Sequence, residues 1–206
     1  MTDFLKLAAG LSNYNDGRYD GYVIGKAEWM LNGSVQIVES NIIKEKKDYL
    51  AIEVTGYDLG HLLTGRLIIS MLKGKQEIFD GEAVLRHGDE DLFLIHKDVP
   101  KKPDLKKTGT PFCFNQNDVK AYLETVHDTN PIHRGQQAIV PGLMLLDFIL
   151  EREYISHGMK SGRVRFINPL KVGTPFIFRK HTRELQIVSD SGKVCYAKIQ
   201  LFPVQQ

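Results

Sequence analysis

The chain is expected to fold as an α+β protein in which an antiparallel sheet wraps around one buried helix. Three observations predict this. Residues 141–150 are apolar nearly all round, Asp147 being the one charge, so a helix there has no polar face to show and has to be covered. The segments that follow alternate polar and apolar residues, as antiparallel strands with one covered face do. The first hundred residues carry further strand-like runs between turn residues, which is the pattern of a meander. A sheet with one apolar face and a helix with no polar face satisfy each other's burial.

In chain order, a short helix is expected over residues 3–11, followed by a turn-rich stretch to Gly21. Strands are expected at 22–30, 34–40, 49–55, 66–72, 76–86 and 91–96, with turns at Asn32-Gly33, Gly74 and Gly88-Asp89. Residues 58–71 are ambiguous, because Leu59, Leu62, Leu63 and Leu67 would also suit a helix face. No clearly buried central helix is evident in this half. The basic, proline-bearing segment 101–107 reads as a linker. It divides a β-rich N-terminal domain (1–100) from a second domain (108–206).

The second domain opens with a strand at 110–114. Asn115 is a suitable N-cap with Asp118 three residues on, and Val119, Tyr122, Leu123 and Val126 share one helical face, so residues 115–126 form an amphipathic helix. Pro131 lacks an N–H and biases Asn130 away from helix, so the chain must turn between Asp128 and Asn130. Pro141 suits the first position of the apolar helix, and Gly158 suits its stop. Strands are then expected at 163–167, 176–178, 185–188 and 194–202, with a turn at residues 189–192.

Composition narrows the class without specifying an activity. With 206 residues, 42% hydrophobic and 25% charged, the chain is long enough for one large or two small domains with a substantial core. No apolar run has the length of a membrane span and no signal peptide is evident, so a cytoplasmic protein without membrane insertion is expected. A net charge of +2 gives no general case for nucleic acid. Cys113 and Cys195 read as small buried hydrophobes on strands rather than a disulfide or a nucleophile.

The chemistry-bearing segment is His127-Asp128-Thr129-Asn130-Pro131-Ile132-His133, an acid, an amide and an imidazole on a proline-bent loop. Asp128-Thr129-Asn130-Pro131 alone could be an Asx-turn that ends the preceding helix, with both polar side chains spent on nearby backbone N–H groups. No regular element sets His127, Asp128 and His133 on one face and no cysteine assists them, so neither a metal nor a cofactor is expected. His127 suits a helix C-terminus, where it interacts favourably with the dipole. Asp147 either binds a ligand or marks the one hydrogen-bonded position of the apolar helix.

Asp128-x-Asn130-Pro131-x-His133, then Ala138, Pro141 and Gly142 at the head of a buried helix, then Arg165-Phe166-Ile167-Asn168-Pro169-Leu170-x-x-Gly173, resembles the MaoC-like branch of the hotdog-fold family, the (R)-specific enoyl-CoA hydratases. The resemblance spans roughly residues 108–202. It implies a hydratase or dehydratase of fatty-acid metabolism acting on an enoyl thioester of coenzyme A or acyl carrier protein. It implies that Asp128 and His133 act on water with Asn130 beside them, and that Gly142 offers its backbone N–H to the thioester oxygen. Val140, Pro141 and Phe166 would then line the substrate pocket. Some members carry two hotdog units in one chain, the first without catalytic residues. The N-terminal domain is either such a degenerate unit, making an internal pseudo-dimer, or an unrelated β domain in a chain that forms a homodimer.

Residue chemistry is consistent with these roles. Hydration of an α,β-unsaturated thioester needs a base for the attacking water and an acid for the α-carbon, and a carboxyl with an imidazole can divide that work. Which of Asp128 and His133 gives and which receives the proton is open, and Asn130 either holds the water or shapes the loop. Negative charge gathers on the thioester oxygen, and an N–H at a helix N-terminus is an unsatisfied donor at the positive end of the dipole. Pro141 cannot donate, so Gly142 is the candidate. Arg163, Arg165, Arg179, Lys180 and Arg183 could meet coenzyme A phosphates, or simply form a solvated sheet face. A hotdog thioesterase and a non-catalytic acyl-thioester binder or scaffold are the alternative functions.

Overall fold

A computed structural model describes residues 1–14, 16–17, 19–73, 75–79, 82–86, 108–157, 161–181 and 184–202. In chain order the elements are α1 (Asp3–Ala9), β1 (Tyr22–Leu31), β2 (Ile37–Lys46), β3 (Tyr49–Tyr57), β4 (Leu63–Lys73), β5 (Lys75–Phe79), β6 (Glu82–Arg86), β7 (Thr108–Phe112), α2 (Gln116–Val126), α3 (Gly142–His157), β8 (Ser161–Phe166), β9 (Phe176–Lys180), β10 (Glu184–Ser189) and β11 (Cys195–Phe202).

Among the described residues, nine strands make one sheet in the order β2-β3-β4-β1-β8-β11-β10-β9-β7, and β5 and β6 pair with each other as a separate hairpin. The seam between the two halves of the chain is the antiparallel β1–β8 ladder, running from Lys26 opposite Arg165 to Met30 opposite Ser161. Outward from that seam the first half reads β1-β4-β3-β2 and the second β8-β11-β10-β9, the same connectivity on both sides. The second half adds β7 at its edge.

The sheet wraps α3 because that helix buries Leu143, Leu145, Leu146, Ile149 and Leu150 together. Full burial of one such leucine is worth roughly 1.5–3 kcal/mol. On the first half, α1 occupies the inner face through Phe4, Leu7 and Ala8, each at most 3% exposed. Close approach there needs glycine: a Cβ on Gly56 would lie 2.8 Å from Val35 and 2.9 Å from Leu7. So this half does contain a buried helix, contrary to expectation. It is short, and at residues 10–14 it passes into a 3-10 turn.

Other differences have local causes. β2 lies later than residues 34–40, and its register slips between Ile42 and Lys44, which interrupts the alternation that marks a strand. Residues 58–62 form a turn instead of a helix: the Asp58 carboxylate accepts the N–H groups of Gly60 and Leu62 at 2.8 and 2.9 Å, leaving Leu59 and Leu62 exposed. Residues 76–86 are two strands of a hairpin, not one. α3 starts at Gly142, with Pro141 just outside it. Cys113 is exposed and follows β7, and Cys195 is half-buried, so neither is the buried hydrophobe expected. The linker at 101–107, the strand at 91–96, the turns at Gly74 and Gly88-Asp89, the Gly158 stop and Arg183 lie outside the described residues. Among the described residues, no helix is long and apolar enough to cross a membrane.

Candidate active site

The acid and the imidazole of the central motif are delivered by the end of α2. That helix opens with a capping box, Asn115 accepting from the Asp118 N–H and Asp118 accepting from the Asn115 N–H, so its start is fixed. It closes at His127, which takes the left-handed conformation at φ 54°, and the Asp128 N–H donates to the Leu123 carbonyl at 3.0 Å. Asp128 Oδ1 then accepts the Asn130 N–H at 2.8 Å, the Asx-turn foreseen from sequence. Its second oxygen is left facing the histidine.

His133 ends the 3-10 turn Pro131–His133, and its ring is anchored from behind. Nδ1 lies 2.7 Å from the Ile139 carbonyl. A carbonyl only accepts, so Nδ1 carries the proton and the neutral ring presents its lone pair at Nε2. Nε2 is 3.7 Å from Asp128 Oδ2. Burial is the main influence on this imidazole and lowers its pKa from 6.5, opposed by the Asp128 charge and by the bond to Ile139. The ring is therefore neutral at pH 7.

Asn130 reaches across to the first half of the chain. Its Nδ2 donates to the Tyr22 carbonyl at 2.9 Å, and its Oδ1 is 3.4 Å from the N–H groups of both Gly21 and Ile132. The amide is thus occupied with shaping and pinning the loop. Asn130→Ala is expected to destabilise the protein by about 1–2 kcal/mol, since each hydrogen bond lost is worth roughly 0.5–1.5 kcal/mol. Thermal unfolding with the wild type as reference checks this, and an unchanged midpoint would contradict it.

Gly142 begins α3 directly against Phe166: a Cβ there would lie 2.9 Å from Phe166 Cζ and 3.1 Å from both Cε atoms. The first N–H groups of a helix have no intrahelical acceptor. Asp128, Asn130, His133, Val140, Pro141, Gly142 and Phe166 all line a single cavity of about 140 Å³. These seven residues, which the resemblance assigned to the site, are therefore gathered at one place, whereas Asp147 and the described basic residues of the strands do not line it.

Sequence reasoning missed the opposite wall. Ala8 of α1 and Leu11 and Tyr14 of the 3-10 turn that follows it, with Ile52, Ile69 and Met71 from the sheet, complete the cavity, so both halves of the chain enclose it. Nothing local in residues 1–100 signals this, because the partners are over a hundred positions away. Tyr122, legible only as part of the apolar face of α2, also lines the cavity. Burial, and then the Asp128 and Asp147 carboxylates, push its phenol well above the usual value, so it stays protonated and able to donate.

Asp147 is a hydrogen-bonded position. It accepts from the Thr2 hydroxyl at 2.7 Å, and Thr2 Oγ1 in turn caps α1 by accepting the Leu5 N–H at 3.0 Å. The two helices are thereby tied, and burial raises the Asp147 carboxyl against the opposing effect of that bond. Arg163 and Arg165 project from the outer face of β8, whereas Arg179 donates to the Gly192 carbonyl at 3.4 Å. Among the described residues, no three His, Cys, Asp or Glu side chains gather as a metal site would require.

Searches with the sequence match no family model and no curated protein. Solved structures do match. The peroxisomal multifunctional enzyme type 2 of Drosophila melanogaster aligns with a TM-score of 0.62 at 14% identity over 97% of this chain, which spans 40% of that protein's length. A MaoC-like dehydratase from Phytophthora capsici aligns with a TM-score of 0.57 at 14% identity over 90% of this chain and 73% of the other. This is the hotdog fold. The same hotdog architecture is shared with an acyl-ACP thioesterase from Bacteroides thetaiotaomicron, with a TM-score of 0.52 at 10% identity over 88% of this chain and 75% of the other. Identities this low fix the hotdog fold and leave its chemistry to the site.

Proposed function

We propose that the protein is a hydratase or dehydratase acting across the α,β double bond of an acyl thioester, with an (R)-3-hydroxyacyl product in the hydration direction. The observation that carries this reading is the pairing of His133 Nε2 with Asp128 Oδ2 at 3.7 Å on the wall of a mostly apolar cavity. Two heavy atoms at that separation can both contact one water oxygen. In hydration the water gives a proton to this pair as its oxygen bonds to the β-carbon, and the pair returns a proton to the α-carbon, so H and OH are added with nothing oxidised. Asn130 acts as a positioning residue. The Gly142 N–H, at the positive end of α3, stabilises the enolate oxygen.

In this reading residues 1–100 are a reduced hotdog unit and 108–206 the catalytic one, so that the chain is its own pseudo-dimer. The matching strand order on either side of the β1–β8 seam supports that division.

Crotonyl-CoA distinguishes the candidate activities. Loss of its conjugated-thioester absorbance without thiol release is the expected result. Thiol release alone would mean a thioesterase, and neither signal, with the ligand bound, a non-catalytic acyl binder.

Gly142→Ala supplies a more local check. The added methyl presses on the Phe166 ring and shifts either the ring or the first turn of α3, so kcat is expected to fall roughly 10- to 100-fold, less than the roughly 10²- to 10³-fold lost when an oxyanion donor is removed outright. A kcat equal to wild type would remove Gly142 from the mechanism.

A further inference from the structure

We infer that Tyr122 determines substrate specificity: its hydroxyl donates to a neutral oxygen on the acyl group, so the preferred substrate is a short, oxygen-bearing enoyl thioester and not a plain alkyl one. This inference deepens the acyl-thioester reading of the cavity and rests on it. Tyr19, Tyr22 and Tyr122 all line the cavity, but their hydroxyls differ. Tyr19 Oη donates to Glu45 and Tyr22 Oη to the Lys47 carbonyl, each at 3.3 Å. The Tyr122 hydroxyl has no hydrogen bond among the described residues. The two carboxylates that act on it are taken: Asp128 Oδ1 accepts the Asn130 N–H at 2.8 Å, Asp128 Oδ2 faces His133 at 3.7 Å, and Asp147 Oδ1 accepts from Thr2 at 2.7 Å. Among the described residues the buried polar side-chain atom without a partner is Trp29 Nε1 and not Tyr122 Oη, so the phenol is open to the cavity it lines.

Its place on α2 says which part of the ligand it meets. Tyr122 and Val126 stand one turn apart on the helix and both line the cavity, while Asp128 follows just beyond the helix end. The rise of the helix sets Tyr122 about 6 Å from Val126 along the axis, and helical side chains lean towards the N-terminus, away from Asp128. The phenol therefore lies beside the acyl chain and not beside the reacting carbons. Ala8, Leu11, Ile52, Ile69 and Met71, on the wall from the first half of the chain, have no side-chain donor. An alkyl chain filling this space would strip water from the Tyr122 hydroxyl and leave it unpaired, which is disfavoured. A neutral oxygen restores the bond, and in such pockets a few placed polar groups set the specificity. The Asp128 and Asp147 charges, both felt by Tyr122, disfavour an anionic acyl end. The cavity of about 140 Å³ is close to the roughly 150 Å³ that holds one benzene ring, so the acyl group is short.

The test uses two pairs of coenzyme A thioesters matched in length, hex-2-enoyl with 4-methoxybut-2-enoyl and hept-2-enoyl with 5-methoxypent-2-enoyl. Within each pair an ether oxygen replaces one methylene. kcat/KM is measured for the wild type and for Tyr122→Phe, whose folding a thermal melt verifies. Comparing one pair in two proteins cancels the intrinsic reactivity of the substrates. In at least one pair the oxygen preference of the wild type should exceed that of the variant by about three- to tenfold, the worth of one neutral hydrogen bond. The alkyl member should gain in the variant, where no phenol is left unpaired. An equal fall for both members would make Tyr122 a structural or general catalytic residue, and an unchanged preference in both pairs would leave its hydroxyl holding an ordered water only; either result overturns the assignment. Calorimetric binding of the saturated analogues of each pair needs no turnover and separates the two readings. Oxygen-dependent binding that Tyr122→Phe loses, in a protein that hydrates none of the enoyl compounds, would sink the hydratase reading and keep this one. Hydration with the same oxygen preference in both proteins would do the reverse.

Discussion

Asp128→Asn and His133→Ala are each expected to lower the turnover of an enoyl thioester by about 10²- to 10⁴-fold, the contribution of a positioned general acid or base, while the protein stays folded. The asparagine substitution retains an oxygen for the Asn130 N–H, so the Asx-turn that shapes the loop survives and only the charge is lost. A titration separates this from a general loss of structure. Burial holds the His133 pKa below 6.5, so kcat/KM of the wild type should rise with pH through a midpoint under that value. The Asp128 charge favours the protonated ring, and removing it should move the His133 midpoint lower still, as read by NMR of the imidazole. Stability follows the same sign. The unfolded chain protonates first, so the stabilising share from His133 is full above pH 6.5 and declines as the pH falls towards the folded-state pKa. Turnover at the wild-type rate in either variant would end the catalytic assignment, and an upward shift of the His133 midpoint would contradict the electrostatics.

Gly162→Ala is expected to be the most damaging single-methyl change at the seam between the two halves. Gly162 on β8 lies opposite Trp29 on β1, and a Cβ there would sit 2.5 Å from Trp29 Cζ2 and 2.6 Å from the Gln200 carbonyl oxygen. The first contact could be relieved by moving a side chain. The second is with backbone on the other neighbouring strand and cannot be relieved without opening the ladder. Overpacking of this kind costs about 1–3 kcal/mol and sometimes more, and here the upper end is expected. The Trp29 ring is held by packing, since its buried Nε1 has no hydrogen-bond partner among the described residues. Trp29→Phe should therefore recover part of the loss and not all of it, because the clash with the Gln200 carbonyl remains. Denaturant unfolding of the two single variants and the double variant measures this. A Gly162→Ala protein as stable as wild type would mean that the two halves are not tightly joined at this seam.

Local pattern was enough to read much of this molecule. Alternation located β8 and β11, strand-like runs bounded by turn residues located β1 and β3, and the Asn115–Asp118 pair located the start of α2, since each depends on neighbours a few positions apart. The absence of any polar face placed α3 at the centre. Where a strand bulges, as β2 does near Ile43, or where leucines sit on a solvent-exposed turn, as at Leu59 and Leu62, the same pattern misleads. The motif from Asp128 to His133 was legible as a proline-bent polar loop, and Asp128, Asn130 and His133 all line the one cavity. The hydrogen bonds of Asn130 to Gly21 and Tyr22 were not, because they join residues more than 100 positions apart and leave no periodic trace. For the same reason the wall that α1 contributes to the cavity could be known only once the chain was folded.

The seam joins residues 26–30 to residues 161–165, and Thr2 bonds to Asp147 across 145 positions. Closing loops of that length precedes any gain from the contacts they make, and chains dominated by such distant pairings fold slowly. During synthesis β1 therefore waits, its central edge unpaired, until β8 emerges, and an uncovered strand edge is the kind of surface on which chains aggregate. Expression at low temperature or with abundant chaperone should accordingly favour the native product, for a reason that lies in the order of the strands and not in the final stability.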